Sequence, residues 1–313
     1  MYKYVIKRLL MIIPVVLIVS FSVYVIMGLV PGDVAITVLG DEATPEQLER
    51  FREERGLNDP ILIQYFRYIS GIVRMDMGTS IYNNVDVWGI FFDRLPNTLI
   101  LAGAAVLFAV VVSIPLGMWA AIRQNTWVDT SASVISFFGI SMPNFWVGLL
   151  LIVLFSVNLG WLPAQSMIVT PTSLILPAIT LGTGLMGAIT RTTRSAMLDV
   201  IHSDYLRTAR SKGLQEKRVI NKHALGNAWI PIVTMVGTQV ATLMGGSVIT
   251  ERVFSWPGIG SYLIDSILRN DYPVVTGFVI MISILVSLVL LLVDVLYAFI
   301  DPRIKAQYAN TKG

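Results

Sequence analysis

Cysteine is absent from the 313 residues, so disulfides and thiolate metal sites are excluded. Histidine occurs only at positions 202 and 223, on one basic stretch and without evident metal partners. Charge is scarce: 14% of residues carry one, where a soluble domain carries roughly a quarter. No Gly is followed by Lys anywhere in the chain, which rules out the phosphate loop G-x-x-x-x-G-K-[ST]. H-E-x-x-H and G-x-S-x-G are also missing. Without a site for any of these chemistries, the sequence does not read as an enzyme. No nucleic-acid partner is expected either.

What is present is apolar surface, 55% of residues. About 20 mostly apolar residues cross a bilayer core of roughly 30 Å. Six such stretches stand out, at about 9–30, 98–122, 132–158, 174–189, 228–248 and 274–300, the fourth being the shortest. The fold expected is an all-α integral membrane protein with six transmembrane helices. The first stretch follows Lys3, Lys7 and Arg8 but is too long for a signal-peptide core, so it reads as a retained anchor. Lysine and arginine concentrate on one side, which places both termini in the cytoplasm. The organisation expected is 1–30 for the cytoplasmic end and first span, 31–97 for an extracytoplasmic helical segment, 98–300 for a core of five spans, and 301–313 for a cytoplasmic tail.

Segment 31–97 holds more than half of the acidic residues. In "ATPEQLERFREERG", Thr44 suits an N-cap, Pro45 the first turn, Gln47 a capping box and Gly56 a stop. In "NDPILIQYFRYISG", Asp59, Pro60 and Gly71 suit the same roles. The two helices read either as a cover over the spans or as a docking platform for an extracellular partner.

Between the fourth and fifth spans, residues 191–227 carry eight of the 23 cations. Ser203 or Asp204 suits the cap of a helix from Tyr205, and Gly213 suits a left-handed stop with Lys212 in the last turn. Tyr205, Leu206 and Ala209 share a face, and Arg207 and Arg210 point elsewhere. Two turns are unstable alone in water. With little of its own chain expected nearby, this helix reads as a knob for a groove on a cytoplasmic partner. A second helix, "LQEKRVINKHALGN", leads from it into the fifth span.

This stretch resembles the cytoplasmic loop of ABC-importer permeases, E-A-A-x-x-x-G followed by I-x-L-P. Arg207, Thr208 and Ala209 stand at the E-A-A places and Gly213 at the glycine. His223, Leu225 and Gly226 stand at the I, L and P places. "DYLRTARSKGL" and "HALGNAWIP" are closer to the oligopeptide/dipeptide branch, as are "VPGD" (30–33), "MGTS" (77–80), "ISMPNFWVG" (140–148), "LPAITLG" (176–182), "FSWPGIGSYLIDSI" (254–267) and "LLVDVLYAFIDPRI" (291–304). The resemblance implies the type I importer permease fold in a bacterial or archaeal inner membrane. It further implies a second related permease as pore heterodimer and two ATPases beneath that hold ATP and Mg, with no cofactor on this chain. An extracytoplasmic binding protein would deliver dipeptides, oligopeptides, glutathione, nickel complexes or oligosaccharides. It assigns ATPase coupling to Asp204, Tyr205, Leu206, Arg207, Thr208, Ala209, Arg210, Lys212, Gly213, Leu214 and His223.

Other residues invite function without settling it. Pro143 breaks the third span and permits a kink, so that Met142, Asn144 and Gln239 line a passage or merely pack. Asp294, in the last span, is a pore candidate or a packing charge, with Arg191 or Arg194 as its expected partner. Gly182, Gly184, Gly187, Gly245 and Gly246 allow helices to approach closely. Trp256, Pro257 and Gly258 read as a tight outer turn before a short amphipathic helix, suited to binding-protein docking, gating or anchoring. The competing function is a secondary transporter or channel that needs no ATPase, though such proteins usually carry paired intramembrane charges or inverted repeats. A scaffold without transport is the third reading.

Overall fold

A computed structural model of the chain describes residues 2–29, 33–40, 42–165 and 167–300. The tail at 301–313, and most of "VPGD", lie outside the described residues. Described residues are overwhelmingly helical. The helices are α1 (Tyr2–Leu29), α2 (Val34–Leu39), α3 (Pro45–Arg55), α4 (Ile61–Val73), α5 (Val87–Ile122), α6 (Trp127–Ser141) and α7 (Asn144–Leu151). They continue as α8 (Pro171–Ile201), α9 (Asp204–Ser211), α10 (Glu216–Arg218), α11 (Leu225–Val253), α12 (Ile259–Leu268) and α13 (Tyr272–Ile300). Residues Ile152–Asn158 and Val219–Ala224 are π-helical continuations of α7 and α10.

Among the described residues, α1, α5, α8 and α13 are long and apolar enough to cross a membrane, and α6 with α7 forms a fifth candidate that is bent by 107°. The 29-residue α11 covers the fifth predicted stretch. Several of its residues, Gly245 and Gly246 among them, have surroundings outside the described ones. Two sequence expectations are corrected. The weak fourth stretch, 174–189, is part of a 31-residue helix, because the Thr170/Ser173 capping box with Pro171 starts it early and it runs on to Ile201. Arg191 and Arg194 therefore sit on α8 and not in a loop. The second stretch likewise begins at Val87, where the Asp86 carboxylate accepts from the Gly89 N–H at 3.0 Å.

The chain divides into two compact units, 1–98 with 257–288, and 99–256 with 289–313. In the first, α4 lies against α1. The Tyr65 hydroxyl lies 3.0 Å from Ser20 Oγ and donates to the Leu17 carbonyl at 3.1 Å. Phe21 and Tyr24 meet the Tyr65 ring edge-on. Asp33 caps α2 through the Ala35 N–H and pairs with Arg52 of α3. Asp271, 3% exposed, accepts from Ser80 Oγ at 2.5 Å and from the Ile81 N–H at 3.2 Å. That tie fastens the turn before α5 to the start of α13, and burial pushes the Asp271 carboxyl above its ordinary range.

Thr44, Gln47, Pro45 and Gly56 take the α3 roles read from sequence. The α4 reading is corrected. Pro60 is the N-cap, Asp59 turns to Arg67 at 2.5 Å, and the helix passes Gly71 to end at Val73.

In the second unit α8 is the central rod, with α6, α7 and α11 packed around it. Small residues make this possible. A Cβ on Gly187 would collide with the Ser136 carbonyl of α6, and one on Gly182 would lie 2.5 Å from the Phe108 ring and 2.9 Å from the Ala105 carbonyl of α5, which also approaches α8. Leu181, Ile189 and Met197 fill the spaces between.

Candidate functional site

Two places in the second unit gather the sequence candidates. The first is the break between α6 and α7. Proline disfavours helical geometry in the residue before it and has no N–H to give. Met142 accordingly turns extended, at ψ 130°, and caps α6 by donating to the Phe138 carbonyl. Pro143 follows at ψ 134°, and a new helix starts at Asn144. The outcome exceeds the kink expected: the chain changes direction by 107°.

That corner, with α8 and α11, lines an open cavity of about 440 Å³. Met142, Pro143, Asn144 and Gln239 all line it, so four of the five pore candidates converge. Arg191 and Thr242, which the sequence reading did not place in a passage, join them. Gly184 leaves room for Asn144, whose side-chain oxygen lies 2.6 Å from where a Cβ would stand. Thr242 Oγ donates to Gln239 Oε1 at 3.1 Å.

Asp294 is half-buried on α13 and does not line this cavity. Its expected partners are engaged elsewhere. Arg194 forms a bidentate pair with Asp129 of α6, at 2.6 and 2.8 Å, and Arg191 lies over the Phe137 ring at 5.7 Å. Asp129 is 5% exposed and also accepts from the Asn125 N–H. Sequence reading missed it because the third span was started at Ala132, which left this acid outside. Its place one turn inside a helix, after Thr126, was the available signal.

The second place is α9 and its flanks. Asp204, Tyr205, Arg207, Thr208, Arg210, Lys212 and Gly213 are exposed, while Ala209, Leu214 and His223 are partly buried. Gly213 stands at φ +75°, and its N–H and that of Leu214 close the helix onto the Arg210 and Ala209 carbonyls. Ser203 is the N-cap, but its hydroxyl turns back to the Val200 carbonyl, so no side chain caps α9.

The expectation that α9 finds little to pack on is overturned. Leu206 is 0% exposed and belongs to a cluster with Met197 of α8 and Val219, Ile220 and Ala224 of the π-helical stretch. Burying one leucine is worth about 1.5–3 kcal/mol, enough to hold two turns that propensity cannot. Tyr205 departs from the shared apolar face and stays 43% exposed, its hydroxyl 3.5 Å from the His223 carbonyl it donates to. Arg210 forks onto Glu216 at 2.9–3.3 Å, which joins α9 to α10. Arg210 holds the Glu216 carboxyl below its ordinary range.

The outer turn differs from its docking role as read. Trp256 is 1% exposed, buried among the apolar side chains of the second unit, and Gly258 is buried as the N-cap of α12. Pro257 is half-buried, and its carbonyl accepts from Asn97 Nδ2 at 2.9 Å. The exposed large apolar side chains of α12 are Ile267 and Leu268.

Comparison with known proteins bears on both places. The chain is 41% identical over 315 residues to the oligopeptide transport system permease protein AppB of Bacillus subtilis (strain 168), across 97% of this chain and all of that one. It is 39% identical to the dipeptide transport system permease protein DppB of Alkalihalophilus pseudofirmus, and 42% identical to the glutathione transport system permease protein GsiC of Escherichia coli (strain K12), each across 97% of this chain and at least 99% of the other. Its fold is similar to a chain of the MetNI methionine ABC transporter, solved in inward-facing conformations, with a TM-score of 0.58 and 18% identity over 68% of this chain and 97% of that one. One family profile, binding-protein-dependent transport system membrane component, N-terminal, matches residues 1–102. A second matches 113–306, and with it the cavity and α9 both fall inside the matched region: the chain belongs to the family of binding-protein-dependent transport system inner membrane components.

Proposed function

We propose that this chain is one of two permease subunits of an ATP-driven importer for peptides, driven from the cytoplasm by two ATPases and supplied from outside by a binding protein. One observation carries the coupling. α9 is spliced between α8 and α11, and those two helices supply Gly184, Ala188, Arg191, Gln239, Thr242 and Leu243 to the cavity wall. A push on α9 is delivered to both sides of the cavity at once. The push reaches α8 through Leu206 and Met197, and α6 through the Arg194–Asp129 pair.

In this reading α11 and the bent α6–α7 complete six spans, both termini are cytoplasmic, and α2 to α4 form the extracytoplasmic segment. The exposed face of α9, with Tyr205, Arg207, Arg210 and Lys212, meets the ATPase, while Leu206 keeps the helix on its own chain. ATP and Mg belong to the ATPases, and this chain hydrolyses nothing. The peptide class rests on the relatives' names together with a cavity whose volume suits a small peptide.

The test is uptake of labelled dialanine into vesicles holding the assembled complex. Accumulation is expected only with ATP and ATPases on the cytoplasmic face and binding protein on the other. Uptake by this chain alone would establish the secondary-transporter reading instead.

A further inference from the structure

Two arginines one turn apart on α8 have different fates. Arg194 is held by both oxygens of the Asp129 carboxylate. Arg191 lines the cavity, and among the described residues no carboxylate lies within ion-pair distance of it. No acidic side chain lines that cavity either. Arg191 is exposed toward this open cavity, so its guanidinium is accessible to a solute there, and a cation on a membrane-spanning helix that faces a cavity is a candidate for function.

The remaining polar groups point the same way. The Thr242 hydroxyl is shared between the Gln239 main-chain carbonyl at 2.8 Å and Gln239 Oε1 at 3.1 Å, and the Gln239 amide N–H₂ is a donor. Arg191 rests over the face of Phe137 with its carbon 5.7 Å from the ring centroid. Stacking of that kind steadies a guanidinium while leaving its N–H edge open to a planar, two-oxygen acceptor. The cavity therefore offers donors and a positive charge, fixed on the helices that flank α9.

We propose that Arg191 is the counter-charge for a carboxylate of the cargo, so that the cavity passes small peptides with a free acid end in preference to those whose acid end is blocked as an amide. This rests on the peptide-import reading and adds the chemical class that the cavity selects.

The experiment compares dialanine with dialanine amide in vesicles holding the complete importer, for the native chain and for Arg191→Gln and Arg191→Lys. Dialanine uptake by R191Q is expected to fall about tenfold or more, as when a charge-assisted hydrogen bond is lost, and amide uptake to stay within about twofold. R191K, which keeps the charge, restores most of the preference for the acid. Because the same binding protein supplies every variant, a change in the acid-to-amide ratio belongs to the permease. Gln239→Leu provides a second variant should R191Q fail to accumulate, with a smaller shift of that ratio in the same direction. An unchanged ratio in these variants, or equal loss of acid and amide, overturns the assignment of Arg191 and leaves peptide import standing. Native vesicles that take up neither compound despite ATP overturn the import reading, and this inference with it.

Discussion

Two short helices, α3 and α9, both end on a left-handed glycine, Gly56 at φ +64° and Gly213 at φ +75°. Their means of support are opposite. α3 buries no residue and is held mostly by its own ends and surface, with one outside tie from Arg52 to Asp33: the reciprocal Thr44–Gln47 capping box, Arg50 on Glu54 at 2.9 Å, and Arg52 on Glu49 at 2.9 Å. α9 has no side-chain cap and is held by one wholly buried leucine. A helix supported mostly from within depends little on its neighbours. A helix whose buried support is a leucine seated against α8 and the π-helical stretch moves with them, which is the property a coupling element needs.

The largest way to break this contrast is Leu206→Ala. Truncating a buried leucine costs about 2–5 kcal/mol, more than a two-turn helix can recover locally. Amide exchange across 204–214 should become fast while α3 is unaffected, and ATP hydrolysis by the complex should continue with little uptake. Retained protection in α9 would mean that something other than Leu206 holds it.

The two glycines allow a sharper comparison. A Cβ at Gly213 meets nothing within 4 Å, so Gly213→Ala costs only the left-handed backbone penalty of about 1–2 kcal/mol. A Cβ at Gly56 would collide with the Arg67 guanidinium and push it off Asp59, which adds to that penalty. Gly56→Ala should therefore loosen its helix end more by amide exchange, yet leave transport unchanged. Gly213→Ala should do less structurally and lower uptake per ATP. The reverse pattern would place coupling in the segment of α2 to α4.

Thr44→Ala comes next, at about 1 kcal/mol for a lost cap. Faster exchange confined to the first turn of α3 is the expected result. Spread of the effect to α4 would show that α3 braces its neighbour and is not self-supporting.

The same contrast explains what was legible before the structure. Thr44, Pro45, Gln47 and Gly56 spell out α3 because the capping interactions that start and stop it lie within a turn of sequence. Gly213 marked the end of α9 for the same reason. Leu206 was visible as an apolar residue, but its burial depends on Met197 and Ile220, which no local pattern links to it. Pro143, Asn144 and Gln239 were legible as helix-breaking or polar residues in apolar runs, and Met142 as the neighbour of that proline. Their convergence was not, since it depends on a 107° turn where composition announced only a kink. Asp129 and Arg191 went astray through boundaries. A helix start placed a few residues late leaves a buried acid in a loop, and one ended early leaves a cavity arginine there. Trp256 differs again: it reads as part of a tight outer turn suited to docking, gating or anchoring, yet here the ring is enclosed, which depends on side chains distant in sequence.

The smallest expected effect is Glu216→Gln. Arg210 and Glu216 are 38% and 60% exposed at the side chain, so water and salt screen the pair, and about 0.2–1 kcal/mol is the range for such contacts. The Glu216 carboxyl is held below its ordinary range by the Arg210 hydrogen bonds. A depressed folded-state value means that the contribution is complete above the unfolded glutamate pKa of about 4.3 and fades as pH falls below it. Exchange protection at the C-terminal turn of α9 should thus be slightly weaker in the variant at pH 7 and equal to native under acid. The difference should also shrink in molar salt. A variant indistinguishable at pH 7 in low salt would show that Leu206 and Gly213 alone fix the end of α9, and that Arg210 remains available for contact with the ATPase.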